Sequence, residues 1–537
     1  MSTATLRRPN LNPWVSAHVF FAVKSTALLE MIREINGQAP AFFNPWRPFS
    51  KLAWFVALLL VPLLGGAENA RPNILFILTD DQGWPTLGTY GNARVPTPHL
   101  DGLARDGMKF NAAYVMPQCT PTRAALLTGQ HTARTRLWHV IGQHYHYPLG
   151  RIHEPVYADN LPRETFTVAK GLRAAGYATG IIGKWHLSTT SGDGDYSGLK
   201  PEAASQYGFD VSVPSLNAEQ RTGDKGVARF TAEAIRFMTE RRDQPWFLYL
   251  SYHAIHGPVL APEPLVRKYR EQGAPETGLD NATYLACIEH LDASVGRLMK
   301  ALDKLGLRDR TLVVFLSDNG GIHQIYDFEP FLDKKDPAQQ TPVQLQVARE
   351  EFSNAPLRAG KGSHYEGGIR VPCLVRWPGV VPAGKVTDTP IHVTDWLPTL
   401  LQAAGGAAPK GHVVDGTSLL PLLRGGPLPA RPLFFYLPLY EVRFGATPCA
   451  IVREGDWKLI EFFGDWFDPQ GRYIPGHRLE LYDLRNDLGE TRNRATELPE
   501  RAAALRQTLH AWMKSVPAEI PGPNPKFEER RQLLEVK

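Results

Sequence analysis

Four cysteines in 537 residues are too few to make a disulfide framework for a chain this long. Long apolar runs are also scarce. The run Ala53 to Leu64 follows Arg47 and Lys51, is short for a membrane span, and leads into Gly65-Gly66-Ala67. It reads as a secretory signal peptide within residues 51–70. Ahead of it lies a leader, residues 1–50, without sustained periodicity and interrupted by Pro9, Pro13, Pro40, Pro45 and Pro48. A signal so far from Met1 implies either a later start, as at Met31, or an extended leader. The alternative is an uncleaved N-terminal anchor. The expected location is periplasmic or extracellular.

Excess charge of one sign is missing too. Lys and Arg number 59 against 54 Asp and Glu, and residues 1–70 carry six of the former and three of the latter, so the remainder is nearly balanced. With no basic face and no reader motif, a nucleic-acid partner is not expected. The 43% hydrophobic and 21% charged composition is that of a globular protein with room for a large core and two domains.

Within that chain, apolar runs of buried-strand type recur, each ending in ionisable or polar residues. Asn73–Leu78 leads to Asp80-Asp81, Tyr177–Gly183 to Lys184-Trp185-His186, Trp246–Ser251 to His253 and His256, and Thr311–Leu316 to Asp318-Asn319. Helical patterns at Gly226–Arg241 and around Cys287 alternate with them, the signature of a mostly parallel sheet covered by helices. Four strands then bring their chemistry to one edge, where ligands bind in open α/β sheets. Pro98 to Phe110 reads as a helix and turn.

The stretch Gln118 to Gly129 reads as a short helix, with Thr120 and Thr122 as candidate caps, Pro121 in the first turn and Gly129 as the stop. Cys119 then lies at the positive end of the helix, a place that favours anions and lowers a thiol's pKa, and Arg123 shares its face one turn on. The spacing leaves open whether Cys119 is reactive or a buried structural thiol. Further on, a glycine-dense loop carries Lys361 into the strand Val371–Arg376, while Glu366 and Arg370 read as a structural ion pair.

Composition shifts toward Gly, Pro and Leu over residues 411–432. This suggests a catalytic α/β domain over 71–425, then a small α+β domain over 426–518, with strands at 449–453, 457–461 and 478–484 under a helix from Pro499 to Val516. A flexible tail takes residues 519–537.

The stretch Cys119-x-Pro121-x-Arg123 with Leu127-Thr128-Gly129 resembles the signature of the formylglycine-dependent type I sulfatases, of the alkaline-phosphatase-like superfamily. The resemblance runs from Arg71 to Val516 and includes, in the family's order, Asp80-Asp81, Lys184-x-His186, His256-x-Pro258, Asp318-Asn319 and Lys361. It implies that a maturation enzyme oxidises Cys119 to formylglycine, whose hydrate is the nucleophile and passes through a sulfated-enzyme intermediate. It also implies one calcium ion held by Asp80, Asp81, Asp318, Asn319 and the modified Cys119. Arg123, Lys184 and Lys361 would neutralise charge on the sulfate. His186 would serve as base, and His256, helped by Lys361, would protonate the leaving alcohol. The hard oxygen set agrees with calcium or magnesium better than with zinc. The implied substrate is a sulfate ester, of a carbohydrate or an aryl alcohol. A phosphonate or phosphodiester hydrolase and a non-catalytic carbohydrate-binding protein are the alternative readings. Residues 322–355, with Tyr326, Phe328 and Phe331, are expected to rim the pocket. Phe462, Phe463, Trp466, Phe467 and Tyr473 are expected to pack a hairpin tip, with sugar stacking as the alternative. Asn281-Ala282-Thr283 is a glycosylation sequon.

Overall fold

The computed structural model describes residues 71–141, 150–188, 198–327, 345–525 and 527. The leader and export signal expected over 1–70 lie outside the described residues, as do Phe328, Phe331 and the last ten residues. The large sheet uses β1 (Asn73–Thr79), β2 (Met108–Tyr114), β3 (Ala178–Gly183), β4 (Val211–Pro214), β5 (Trp246–Ser251) and β6 (Thr311–Ser317). A short hairpin, β7 (Gln324–Tyr326) and β8 (Val347–Glu350), stands apart from it. The large sheet is completed by β9 (Arg370–Arg376), β10 (Lys385–Thr387) and β11 (Ile391–His392). Its order is β10-β2-β9-β6-β1-β5-β3-β4, with β11 also on β2.

All neighbours in this sheet pair in parallel except β9, which runs against both β2 and β6. That reversal matters for the site. The loop ahead of β9 opens on the same edge as the loops that follow β1, β3, β5 and β6. The register is tight there: Thr79 pairs with Ser317, Leu78 with Ser251, and Ser251 with Gly183. The residues just beyond these positions are therefore neighbours in space.

The helices divide between two layers. Ile74, Phe76 and Leu78 of β1 face one layer, and Leu75 and Ile77 face the other, as a period of two requires. The first layer contains α2 (Cys119–Thr128), α3 (Val168–Ala174) and α6 (Trp396–Ala403). The second contains α1 (Pro98–Arg105), α4 (Val227–Glu240) and α5 (Ala282–Lys304). Both faces of β1 are fully buried, which accounts for its unbroken apolar run. Asn281 caps α5, accepting from Tyr284 N at 3.0 Å and donating to Gly278 O and Glu351. The sequon asparagine is thus a buried cap rather than an exposed acceptor.

A four-stranded antiparallel sheet follows, in the order β12 (Leu433–Leu437), β13 (Cys449–Glu454), β14 (Trp457–Phe462) and β17 (Arg478–Asp483). Between its last two strands sits the hairpin β15 (Asp465–Phe467) and β16 (Tyr473–Pro475). Ala450, Val452, Leu459 and Leu481 pack under α7 (Pro499–Ser515). Cys449, Ile451, Ile460 and Phe462 turn the other way, against Tyr114, Met116 and Ile369 of the large-sheet region. Both sheets lie in one compact unit, Arg71–Lys537. At their junction Glu366 accepts from Tyr114 Oη at 2.6 Å and pairs with Lys458 at 3.1 Å and Arg370 at 3.4 Å. The Glu366–Arg370 pair is therefore structural, and Lys458 joins it from the smaller sheet.

Three expectations change. Met108–Tyr114 is a strand, not the end of a helix and turn: Met108 and Phe110 are buried while Lys109 and Asn111 are partly exposed, so polar residues mask the run. The strand β12 follows directly on the Gly/Pro/Leu-rich linker. In α2, Cys119 is the first helical residue and Gln118 the cap position, so Thr120 and Thr122 lie inside the helix. Their hydroxyls instead bond His186 O at 2.9 Å and the Met116 backbone at 2.9 and 3.0 Å. Gly129, at φ 66°, ends α2 as expected.

Candidate active site

The edge reached by the strand ends carries a buried cluster of charge. Asp80 and Asp81 follow β1, Lys184 and His186 follow β3, and His253 and His256 follow β5. Asp318 and Asn319 follow β6, Lys361 precedes the reversed β9, and Cys119 and Arg123 enter from α2. Close approach of these loops requires glycine. A Cβ on Gly183, at φ 99°, would lie 1.9 Å from Ser251 O, and one on Gly320 would lie 1.7 Å from Gly367 O.

Arg123 is fully buried and organises one side. Its Nη2 and Nε donate to Asp318 Oδ2 at 2.6 and 3.0 Å, and Nη1 donates to Ser251 Oγ at 2.5 Å and Lys184 O at 3.2 Å. Lys184 Nζ donates to Asp80 Oδ2 at 2.5 Å, and Lys361 Nζ to Asp81 Oδ2 at 2.8 Å. Asn319 Nδ2 donates to Asp81 Oδ1 at 2.7 Å. Cys119 Sγ lies 3.3 Å from His186 Nδ1. His256 Nδ1 lies 2.7 Å from Gly257 O. A carbonyl can only accept, so Nδ1 carries the proton and Nε2 is the basic atom.

Burial pushes Asp80 up, but the positive charges of Lys184, Arg123 and Lys361 together outweigh it and hold its carboxyl well below the usual range. Burial wins at Asp81, which is raised, and at Asp318, which is pushed up to about 7 with Asp80 adding repulsion. Three carboxylates at this spacing favour a cation between them. One ligand atom each from Asp80, Cys119 and Asp318 falls within 4.8 Å of the others. Asp80 Oδ1 and Asn319 Oδ1 are buried without a hydrogen-bond partner among the described residues. Both belong to the expected ligand set, so the residues present fit a hard cation.

Burial also pushes the Cys119 thiol up, against the pull of Lys184 and Lys361. The helix terminus therefore does not make a thiolate here, which corrects the expectation from its position in sequence. His186, His253 and His256 are held well below the ordinary histidine value by burial, with Lys184 or Lys361 adding to the effect, so all three are neutral. The remaining thiols, Cys287, Cys373 and Cys449, are buried and free, and burial pushes each of them up as well.

A cavity of about 330 Å³ opens onto Cys119, Lys184, His186, His256 and Lys361. Ile322, Ile325 and Arg349 from the 322–355 stretch line it, whereas Tyr326 packs against the cluster around Tyr440. Phe462 and Phe467 are buried in packing and, with Phe463, Trp466 and Tyr473, stand away from the cavity lining. Arg443 and Phe444 reach the cavity instead. Sequence reasoning missed these two, along with Gln118, Arg349 and Ser251. Ser251, the last residue of a legible strand, and Arg349, inside the 322–355 stretch expected to rim the pocket, left a signal. His364 is buried, touches Tyr365 and Phe462, and lies outside the cavity lining.

Known proteins resemble this chain over most of its length. Residues 72–407 match the sulfatase family model, and residues 360–518 match the model for the C-terminal region of N-sulphoglucosamine sulphohydrolase. The chain is 34% identical to human arylsulfatase A, over 84% of this chain and 89% of that protein. It is 31% identical to mouse steryl-sulfatase, over 87% and 86%. Among solved structures, Ps i-CgsB in complex with k-i-k-neocarrahexaose superposes with a TM-score of 0.64 at 24% identity, over 87% of this chain and 98% of that one. The phosphonate monoester hydrolase of Agrobacterium radiobacter shares the fold at a TM-score of 0.58 and 20% identity, over 83% and 96%. The α/β fold with its charged sheet edge is thus of the alkaline-phosphatase-like kind, and the chain belongs to the sulfatase family. It is a sulfuric ester hydrolase.

Proposed function

We propose that the protein hydrolyses the sulfate ester of a carbohydrate outside the cytoplasm, using a formylglycine made from Cys119 and a calcium ion. The observation that carries this reading is the pair of buried, unpartnered acceptors, Asp80 Oδ1 and Asn319 Oδ1, beside Cys119. Asp80, Asp81, Asp318 and Asn319 would hold the ion, which would polarise the sulfate oxygens. Formylglycine, once hydrated, would supply one hydroxyl to attack sulfur and a second whose deprotonation releases sulfate. A thiol has no comparable hydrolytic exit. Cys119 is 1% exposed, so a maturation enzyme would have to reach it before the chain closes around it.

The chain's own residues divide the remaining work. Arg123 fixes Asp318 through two donors and so sets the positions of the acidic ligands. Lys184 and Lys361 offset the charge of a bound sulfate in a water-poor site. His186, neutral and 3.3 Å from Sγ, can take a proton from residue 119. His256 presents Nε2, and an anionic ester beside it favours the protonated ring that the leaving alcohol needs. The carbohydrate preference draws support from two structural relatives, one bound to neocarrahexaose and one to glucosamine 2-N,6-O-disulfate. Parallel kinetics on matched sulfate, phosphate and phosphonate esters test the reaction class. A higher kcat/KM for a sulfate ester is expected, and preference for either phosphorus ester would contradict it.

A further inference from the structure

Two arginines stand on the cavity wall, Arg349 from β8 and Arg443 from the loop between β12 and β13. Each is braced by a glutamate that does not itself line the cavity. Arg349 Nε lies 2.8 Å from Glu351 Oε1, and Glu351 is held in turn by Asn281, the cap of α5. Arg443 Nε and Nη2 donate to Glu441 at 2.9 and 3.0 Å, and Glu441 accepts from Gln118 Nε2 at 2.7 Å. The glutamate side chains are only 9% and 5% exposed, whereas those of Arg349 and Arg443 are 50% and 18% exposed. The wall therefore turns guanidinium toward the cavity and keeps carboxylate behind it. Arg349 also sits at the leaving-group side: a Cβ on Gly257, next to His256, would be 3.7 Å from its Nη2. Phe444, Ile322 and Ile325 add apolar surface for a ring face.

Resting on the sulfatase reading above, we propose that Arg349 and Arg443 form a second anion site, so that the preferred substrate is a sugar carrying another sulfate or a carboxylate besides the scissile group. A braced guanidinium suits both anions, because it stays charged at any working pH and its rotamer is already fixed by the glutamate. Wall residues and the sulfate-binding floor then recognise different groups of one substrate.

The test is calorimetric binding to the Cys119→Ala protein, which needs no turnover. The probes are hexosamines with one sulfate, the same sugars with two, and a monosulfated hexuronate. Each added charge is expected to tighten binding roughly tenfold to a hundredfold. The ratio of doubly to singly charged ligand should fall toward one in Arg349→Gln with Arg443→Gln. Arg443→Lys, which retains charge and guards against misfolding, should keep part of it. A response to the disulfated sugars alone identifies a sulfate site, and a response to the uronate alone a carboxylate site. Equal affinity for all probes, or an undiminished ratio in the double variant, would overturn the proposal. Failure of the wild-type protein to release sulfate from 4-nitrophenyl sulfate and from every sulfated sugar among the probes would instead count against the sulfatase reading.

Discussion

Lys184 Nζ lies 2.5 Å from Asp80 Oδ2 while the other oxygen of that carboxylate, Oδ1, is buried and accepts no hydrogen bond among the described residues. On the proposed reading one oxygen serves the lysine and the other would serve a cation. Replacing Lys184 with Ala should lower kcat by roughly 10²–10³-fold through lost charge stabilisation. Calcium affinity should survive, since a repelling charge has been removed. Asp80→Asn should lose both. Steady-state kinetics with calcium titration separate the two outcomes, and loss of calcium binding in Lys184→Ala would refute the division.

Removal of the ion should soften the fold as well as stop turnover. A chelator should lower the melting temperature, and calcium at a hundred times its Kd should return about 2.7 kcal/mol of stability. Zinc, which favours nitrogen and sulfur ligands, should restore neither stability nor activity. Recovery with zinc alone would contradict the ligand assignment.

The junction of the two sheets gives a stability prediction. Lys458 bridges Glu366 at 3.1 Å and Glu490 at 2.7 Å, and all three side chains are buried. Lys458→Met leaves buried Glu490 without its cation and Glu366 with Arg370 alone, and should cost about 3–5 kcal/mol in chemical denaturation. A loss under 1 kcal/mol would show that the pairing contributes little.

Acid should act partly through His131, which packs against His392 and Trp512 and is held at about 4 by burial. Unfolded, it takes a proton near pH 6.5; folded, it does not. Its contribution is therefore complete above that pH and is lost as pH falls toward 4. Asp292, raised by burial to about 6, works with the opposite sign in the same window, so the whole-protein curve is not decisive. The comparison that isolates His131 is the melting temperature at pH 7 and pH 5 in wild type and His131→Gln. The acid-induced drop should be smaller in the variant, and an equal drop would contradict the assignment.

Much of this was legible because the four parallel strands are unbroken apolar runs with chemistry at their ends. Asp80, Lys184, His256 and Asp318 could be placed on one edge from sequence alone. Lys361 was visible on its glycine-dense loop but took its role only by resemblance, since it precedes its strand: nothing in residues 370–376 reveals that β9 runs backwards. The direction of Arg349 and Arg443 was equally hidden, because the glutamates two residues away that brace them are themselves held by Asn281 and Gln118, far away in the chain. The state of Cys119 stayed open because helix position is a local cue, whereas burial, a tertiary effect, dominates the thiol.

The central claim is that residue 119 is no longer a cysteine when the enzyme works. Mass spectrometry of the tryptic peptide Phe110–Arg123 from active, exported protein tests this directly. The expected peptide carries an aldehyde in place of the thiol, with turnover proportional to the modified fraction and absent in Cys119→Ala. Full activity with an unmodified Cys119 would contradict the account.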